Sequence, residues 1–125
     1  MIVLDTSVWI EFLNAHEPYF TKVSKVLSEG RVVALDVVLG ELLQGARTKR
    51  ETKLIADFFE NLPIVKTENC FYHAGLLSQK ENLLQAGIGL MDAAILYTCY
   101  THQIQLWTLD KKILKKAARE TLYLS

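Results

Sequence analysis

At 125 residues and 50% hydrophobic, the chain holds enough apolar side chain for one core, and residues 1–125 are expected to form one domain. Formal net charge is +0, which excludes a global pull on nucleic acid or membrane, although nine of the 14 Lys and Arg gather at Arg47, Lys49, Arg50 and Lys53 and at Lys111, Lys112, Lys115, Lys116 and Arg119. No basic leader with a cleavable apolar segment opens the chain, and the longest apolar stretch, residues 88–100, contains Asp92 and is too short to span a bilayer; a soluble, cytoplasmic protein with no membrane partner is expected.

Along the chain, strand and helix periodicities alternate. Residues 2–4 are short, continuous and β-branched, as a strand buried on both faces should be. Helices are expected over residues 7–14 and 18–28, the second stopped by Gly30, with a strand at 31–35. Asp36 is placed as the N-cap of a short helix that Gly45 ends. An amphipathic helix follows over 47–61, then a short strand at 63–65. A helix capped by Thr67 runs to residue 85, and Gly87 and Gly89 punctuate before the most apolar helix, 90–102. A strand at 105–109, a basic helix at 111–119 and a last strand at 122–124 complete the chain. This alternation implies an α/β fold: a three-layer α/β/α sandwich around a parallel sheet of about five strands. Cys70 and Cys99 lack zinc-ligand spacing and read as reduced packing residues.

Four carboxylates stand out. Asp5 ends the apolar run 1–4, and Asp110 follows the apolar strand 105–109. Both lie where a buried parallel strand hands over to a helix, and such strand ends line the ligand crevice of an open sheet. Glu41 and Asp92 are lone acids within apolar helical stretches, where an uncompensated charge is costly. Singly, three have a plain structural explanation, Asp5 and Asp110 as helix caps and Asp92 as an anion in a first helical turn, while Glu41, mid-helix between Leu39 and Leu42, is the hardest to excuse. That turn effect, typically ~0.3–1 kcal/mol, is small against burying a carboxylate. Jointly, the four acids are better explained by convergence on a hard divalent cation, Mg²⁺ or Mn²⁺.

These residues resemble a family. Val3-Leu4-Asp5-Thr6-Ser7-Val8-Trp9-Ile10 looks like the opening strand and first acid of PIN domains, and within them of VapC-type ribonuclease toxins. Val38-Leu39-Gly40-Glu41-Leu42-Leu43-Gln44-Gly45 is similar to the Glu-Leu-x-x-Gly helix of that family. Gly87-Ile88-Gly89-Leu90-Met91-Asp92-Ala93-Ala94-Ile95 resembles the glycine-led helix with the third acid. Leu106-Trp107-Thr108-Leu109-Asp110 resembles the strand ending in Thr-x-Asp. No motif alone is specific, but their order and spacing are. Two departures, Trp107 before the Thr and Lys112-Ile113 where an aromatic is frequent, leave every acid in place.

The resemblance implies a PIN-like nuclease domain that hydrolyses RNA with Mg²⁺ or Mn²⁺. It would act as the toxin of a toxin–antitoxin pair, as a homodimer, restrained by a cognate antitoxin protein. Asp5, Glu41, Asp92 and Asp110 become the expected catalytic acids and metal ligands, with Thr6, Ser7 and Thr108 orienting them. Lys111 and Lys112 are expected beside the RNA backbone, with Arg47, Lys49 and Arg50 on the opposite lip, while Lys115, Lys116 and Arg119 read as a solvated face. Phe12, Phe58, Phe59 and Leu62 exceed what a thin sheet needs, consistent with an interface. A receiver-like signalling domain would need a second acid after the first strand, where Thr6-Ser7 stand. A haloacid-dehalogenase-like phosphatase would need an Asp at Ser7. A non-catalytic PIN scaffold that binds RNA or protein is disfavoured by the retention of all four acids.

Overall fold

The computed structural model describes residues 1–125. Strands β1 (Ile2–Leu4), β2 (Val32–Leu35), β3 (Ile64–Val65) and β4 (Gln105–Trp107) form a parallel sheet in the order β3-β2-β1-β4. Ile2 pairs with Val32 on one side and Gln105 on the other, and Leu4 pairs with Trp107. Parallel neighbours need crossovers, and each is built from two helices. Helices α1 (Thr6–Leu13) and α2 (Tyr19–Ser28) join β1 to β2, and α3 (Asp36–Gly45) and α4 (Lys49–Asn61) join β2 to β3. Helices α5 (Cys70–Glu81) and α6 (Leu90–His102) join β3 to β4, after which α7 (Lys111–Lys116) and a 3₁₀ turn over Arg119–Thr121 follow. Every residue of β1 and β2 is buried, whichever face it points to, as helices on both sheet faces require.

One contiguous cluster of 27 buried residues joins the sheet to Trp9 of α1, Val23 of α2, Ile55 of α4, Leu96 of α6 and Ile113 of α7. The Trp9 ring packs 4.9 Å from Phe58, and Phe12 stacks on Phe20 at 5.5 Å. Phe12, Phe58 and Leu62 therefore serve the core, whereas Phe59 stays exposed. No helix is long and apolar enough to cross a membrane.

Local chemistry moves several boundaries. The fifth strand expected at residues 122–124 does not form. The chain curls into the 3₁₀ turn, and Leu122 alone bridges to Leu106, with Tyr123 stacked on Trp107 at 4.9 Å. Asp36 is not an N-cap: Leu35, still extended at φ −111°, holds that position, and Asp36 is the first helical residue. Thr67 does not cap α5 either. Asn69, at φ 51°, precedes that helix, and the Thr67 hydroxyl pairs with His102 Nε2 at 3.0 Å. The expected helix over 67–85 shortens accordingly, because Asn82 at φ 56° ends it. Helix α4 starts at Lys49 rather than Arg47: Thr48 Oγ1 accepts from Glu51 N–H at 3.1 Å, and the Glu51 carboxylate accepts from Arg47 N–H at 2.8 Å. The basic helix stops at Lys116, short of residue 119.

Candidate active site

Strand β4 ends at Trp107 because the next residues leave the ladder for side-chain partners of β1's exit. Asp5 follows β1 directly, with its N–H on Trp107 O at 2.9 Å. Its carboxylate is only 7% exposed and is thoroughly engaged. Oδ1 accepts from Thr6 N–H at 2.8 Å; Oδ2 accepts from the Thr108 hydroxyl at 2.7 Å and the Ser7 hydroxyl at 3.2 Å. Both hydroxyls pass the contact on. Thr108 Oγ1 accepts from Asp110 N–H at 3.0 Å, and Ser7 Oγ accepts from Leu109 N–H at 3.1 Å. A carboxylate held by several donors keeps one rotamer, so the first and last sheet exits are locked together.

Glu41 projects from α3, and its Oε1 accepts from the Thr6 hydroxyl at 3.2 Å. Asp110 caps α7 through its Oδ1, which accepts from Lys112 N–H at 2.8 Å. Asp92 sits in the first turn of α6, half-buried. Burial raises its pKa from 3.8 to about 6, and the charges of Asp5, Asp110 and Glu41 push it the same way, with Lys112 opposing. Four acids from four separate segments thus share one field. They do not close into a cage: no three His, Cys, Asp or Glu side chains stand in metal-holding geometry. The case for a cation accordingly rests on accumulated negative charge and an all-oxygen donor set, which suits a hard ion. Cys99 is no thiolate candidate, because burial and the Asp5 charge push its thiol up to about 12. Both cysteines are free, as packing residues should be.

Lys111 and Lys112 lie exposed at the start of α7. Arg47, Lys49 and Lys53 line an open cleft of about 420 Å³ at the start of α4, which Arg50 does not reach. Lys53, counted in that basic cluster but not placed on the expected lip, lines the cleft in place of Arg50, four residues on from Lys49. A second cleft of about 470 Å³ opens beside the N-terminal end of β4, between Glu81, Tyr100, Gln105 and Glu120. It lies away from the strand exits, and neither cleft contains any of the four acids. Gly87 has a more specific part than punctuation. At φ 82°, the place its Cβ would take lies 3.2 Å from Lys112 Cδ.

Residues 2–120 match the PIN domain family. The chain is 30% identical over 125 residues to Ribonuclease VapC32 of Mycobacterium tuberculosis, covering 97% of this chain and 93% of that protein. Among solved structures it resembles VapBC2 from Rickettsia felis bound to a promoter DNA fragment, with TM-score 0.71, 23% identity and 98% and 96% of the two chains covered. A toxin–antitoxin complex from Klebsiella pneumoniae gives TM-score 0.72 at 16% identity, covering 98% and 100%. These two likenesses speak to the fold.

Proposed function

The chain belongs to the PIN-domain family, and from that premise we propose that residues 1–125 act as one Mg²⁺- or Mn²⁺-dependent ribonuclease domain, the toxin of a toxin–antitoxin pair. The observation that carries this reading is the gathering of three acids, from three other segments, around Asp92 against a single nearby cation. Asp5, Asp92, Glu41 and Asp110 would hold the metal. When bound, Mg²⁺ or Mn²⁺ supplies Lewis acidity for phosphodiester hydrolysis. The protein's part is orientation. Thr108 and Ser7 fix the Asp5 carboxylate, and Thr6 steers Glu41. Below about pH 6 Asp92 carries a proton, which it would have to shed to become a ligand. Lys111, Lys112, Arg47, Lys49 and Arg50 hold the phosphates of the RNA on either side.

The named partners of the solved relatives support an antitoxin protein as the restraint on this activity in the cytoplasm. Phe71, Tyr72, Leu76 and Leu84, all strongly exposed, support a homodimer through the α5 side of the fold. Sedimentation of the purified chain checks that point. The test of function is cleavage of RNA by the purified chain with and without Mn²⁺. Asp5→Ala and Asp110→Ala should each abolish cleavage while RNA affinity holds or rises, because carboxylates repel phosphate. RNA binding with no metal-dependent cleavage by the wild type would instead identify a scaffold.

A further inference from the structure

We propose that Lys112 is a catalytic residue that meets the scissile phosphate with its ammonium, apart from the basic rim, and that Gly87 lacks a side chain so that the Lys112 stem can lie across it. This rests on the ribonuclease reading. The sequence gives Lys111 and Lys112 the same role; the structure separates them. Two contacts fix the position of Lys112. Its backbone N–H is tied to the Asp110 carboxylate at 2.8 Å. Its stem runs along the α5–α6 connection, where a Cβ on Gly87 would stand 3.2, 3.4 and 3.6 Å from Cδ, Cε and Nζ. That contact sets the ammonium against the connection leading into α6, which carries Asp92, while its own residue lies two positions after Asp110. Yet its ammonium makes no ion pair: the two ion pairs of the chain are His16–Glu11 and Arg31–Glu29. A cation held between the segments that carry Asp92 and Asp110, and not consumed by an ion pair, retains all three N–H donors for an incoming phosphate oxygen.

Hydrolysis places the water oxygen on phosphorus, breaks the bond from phosphorus to the leaving ribose oxygen, and leaves a water proton on that oxygen. Charge on the phosphoryl oxygens redistributes on the way, and a pre-placed donor there is stronger in the transition state than in the ground state. A rim lysine, in contrast, binds ground and transition state alike and shows itself in affinity and salt dependence.

Single-turnover cleavage at saturating RNA with Mn²⁺ separates these roles, alongside RNA affinity measured without metal. Lys112→Gln should lower the saturated rate by about 100-fold or more, with affinity weakened less than about tenfold for the loss of one phosphate contact. Lys112→Arg should recover most of the rate, and Lys115→Ala, one turn along the same helix, should match wild type. Gly87→Asn keeps a residue that tolerates the left-handed backbone, as Asn69 and Asn82 do in this chain at φ 51° and 56°. Its Cβ displaces the softer partner, the Lys112 stem, so the variant should fold but cleave slowly. In the Lys112→Gln background it should add no further slowing. Equal slowing in both backgrounds would overturn the part given to Gly87. If wild type cleaves RNA and Lys112→Gln saturates at the wild-type rate, Lys112 is a rim residue and the inference fails while the ribonuclease reading stands. If wild type does not cleave, both fall together.

Discussion

Asp92→Asn offers a test of the acid site that needs neither RNA nor metal. Asp92 holds its proton up to about pH 6 in the folded protein, against 3.8 for the free side chain. An acid with a raised folded pKa destabilises the native state wherever it is charged. Below about pH 3.8 both states are protonated and nothing is lost. Between 3.8 and about 6 the native state binds more protons than the unfolded one, so stability falls as pH rises, and above about 6 the loss is complete. The interval corresponds to ~3 kcal/mol, and to about 2 kcal/mol once water screening at a half-buried side chain is allowed for. Asparagine is never charged and escapes the loss. In chelator, the variant should equal wild type near pH 4 and exceed it by about 2 kcal/mol at pH 7.5, or about 8 °C at roughly 4 °C per kcal/mol for a chain of this size. Urea and thermal melts of both proteins across that range read the difference directly. A difference that does not change with pH, or an asparagine variant less stable than wild type at pH 7.5, would refute the claim that burial and neighbouring acids together hold the Asp92 proton.

Metal should invert that order: at a hundredfold excess over Kd, Mn²⁺ should stabilise wild type by about 2.7 kcal/mol, and Asp92→Asn should lose most of the increment in paired melts. Thr108→Val removes the 2.7 Å bond to Asp5 and the acceptor for Asp110 N–H; it should cost about 1–3 kcal/mol and weaken Mn²⁺ by about 10–100-fold, visible as cleavage that recovers on Mn²⁺ titration. Thr48→Ala unties the cap of α4 and should cost about 1 kcal/mol in urea unfolding, with the cleavage rate of the folded protein unchanged.

Sequence patterns expose what repeats locally and hide what only the fold brings together. Asp5 and Asp110 stood out because each breaks an apolar run at a strand end, and Glu41 because nothing in its helix excuses it. Ser7, expected among the residues that orient the acids, lies in the first turn of α1, where its hydroxyl donates to Asp5 and accepts from Leu109 N–H, a partner remote in sequence. Thr67 misled because an N-cap is judged by its downstream helix, and the partner that wins its hydroxyl, His102, is remote in sequence. The last strand misled for a related reason: an alternating triplet says nothing about whether the preceding turn leaves room for more than one ladder contact. The meeting of Gly87 with the Lys112 stem had no local signature. Glycine before a helix is ordinary punctuation, and only the packing of α7 beside the α5–α6 connection gives it an occupant.

The position of β1 in the sheet has a consequence for synthesis. Its two neighbours are β2, made soon after it, and β4, made only after β2, β3 and six helices. Until Gln105–Trp107 arrive, one side of β1 is an open row of unpaired amides and carbonyls along a wholly apolar strand. Over the same interval Asp5 lacks Thr108, and the fourth acid does not yet exist. A growing or truncated chain is therefore sticky until β4 docks: the proposed acid site is completed in the same event that seals the exposed edge.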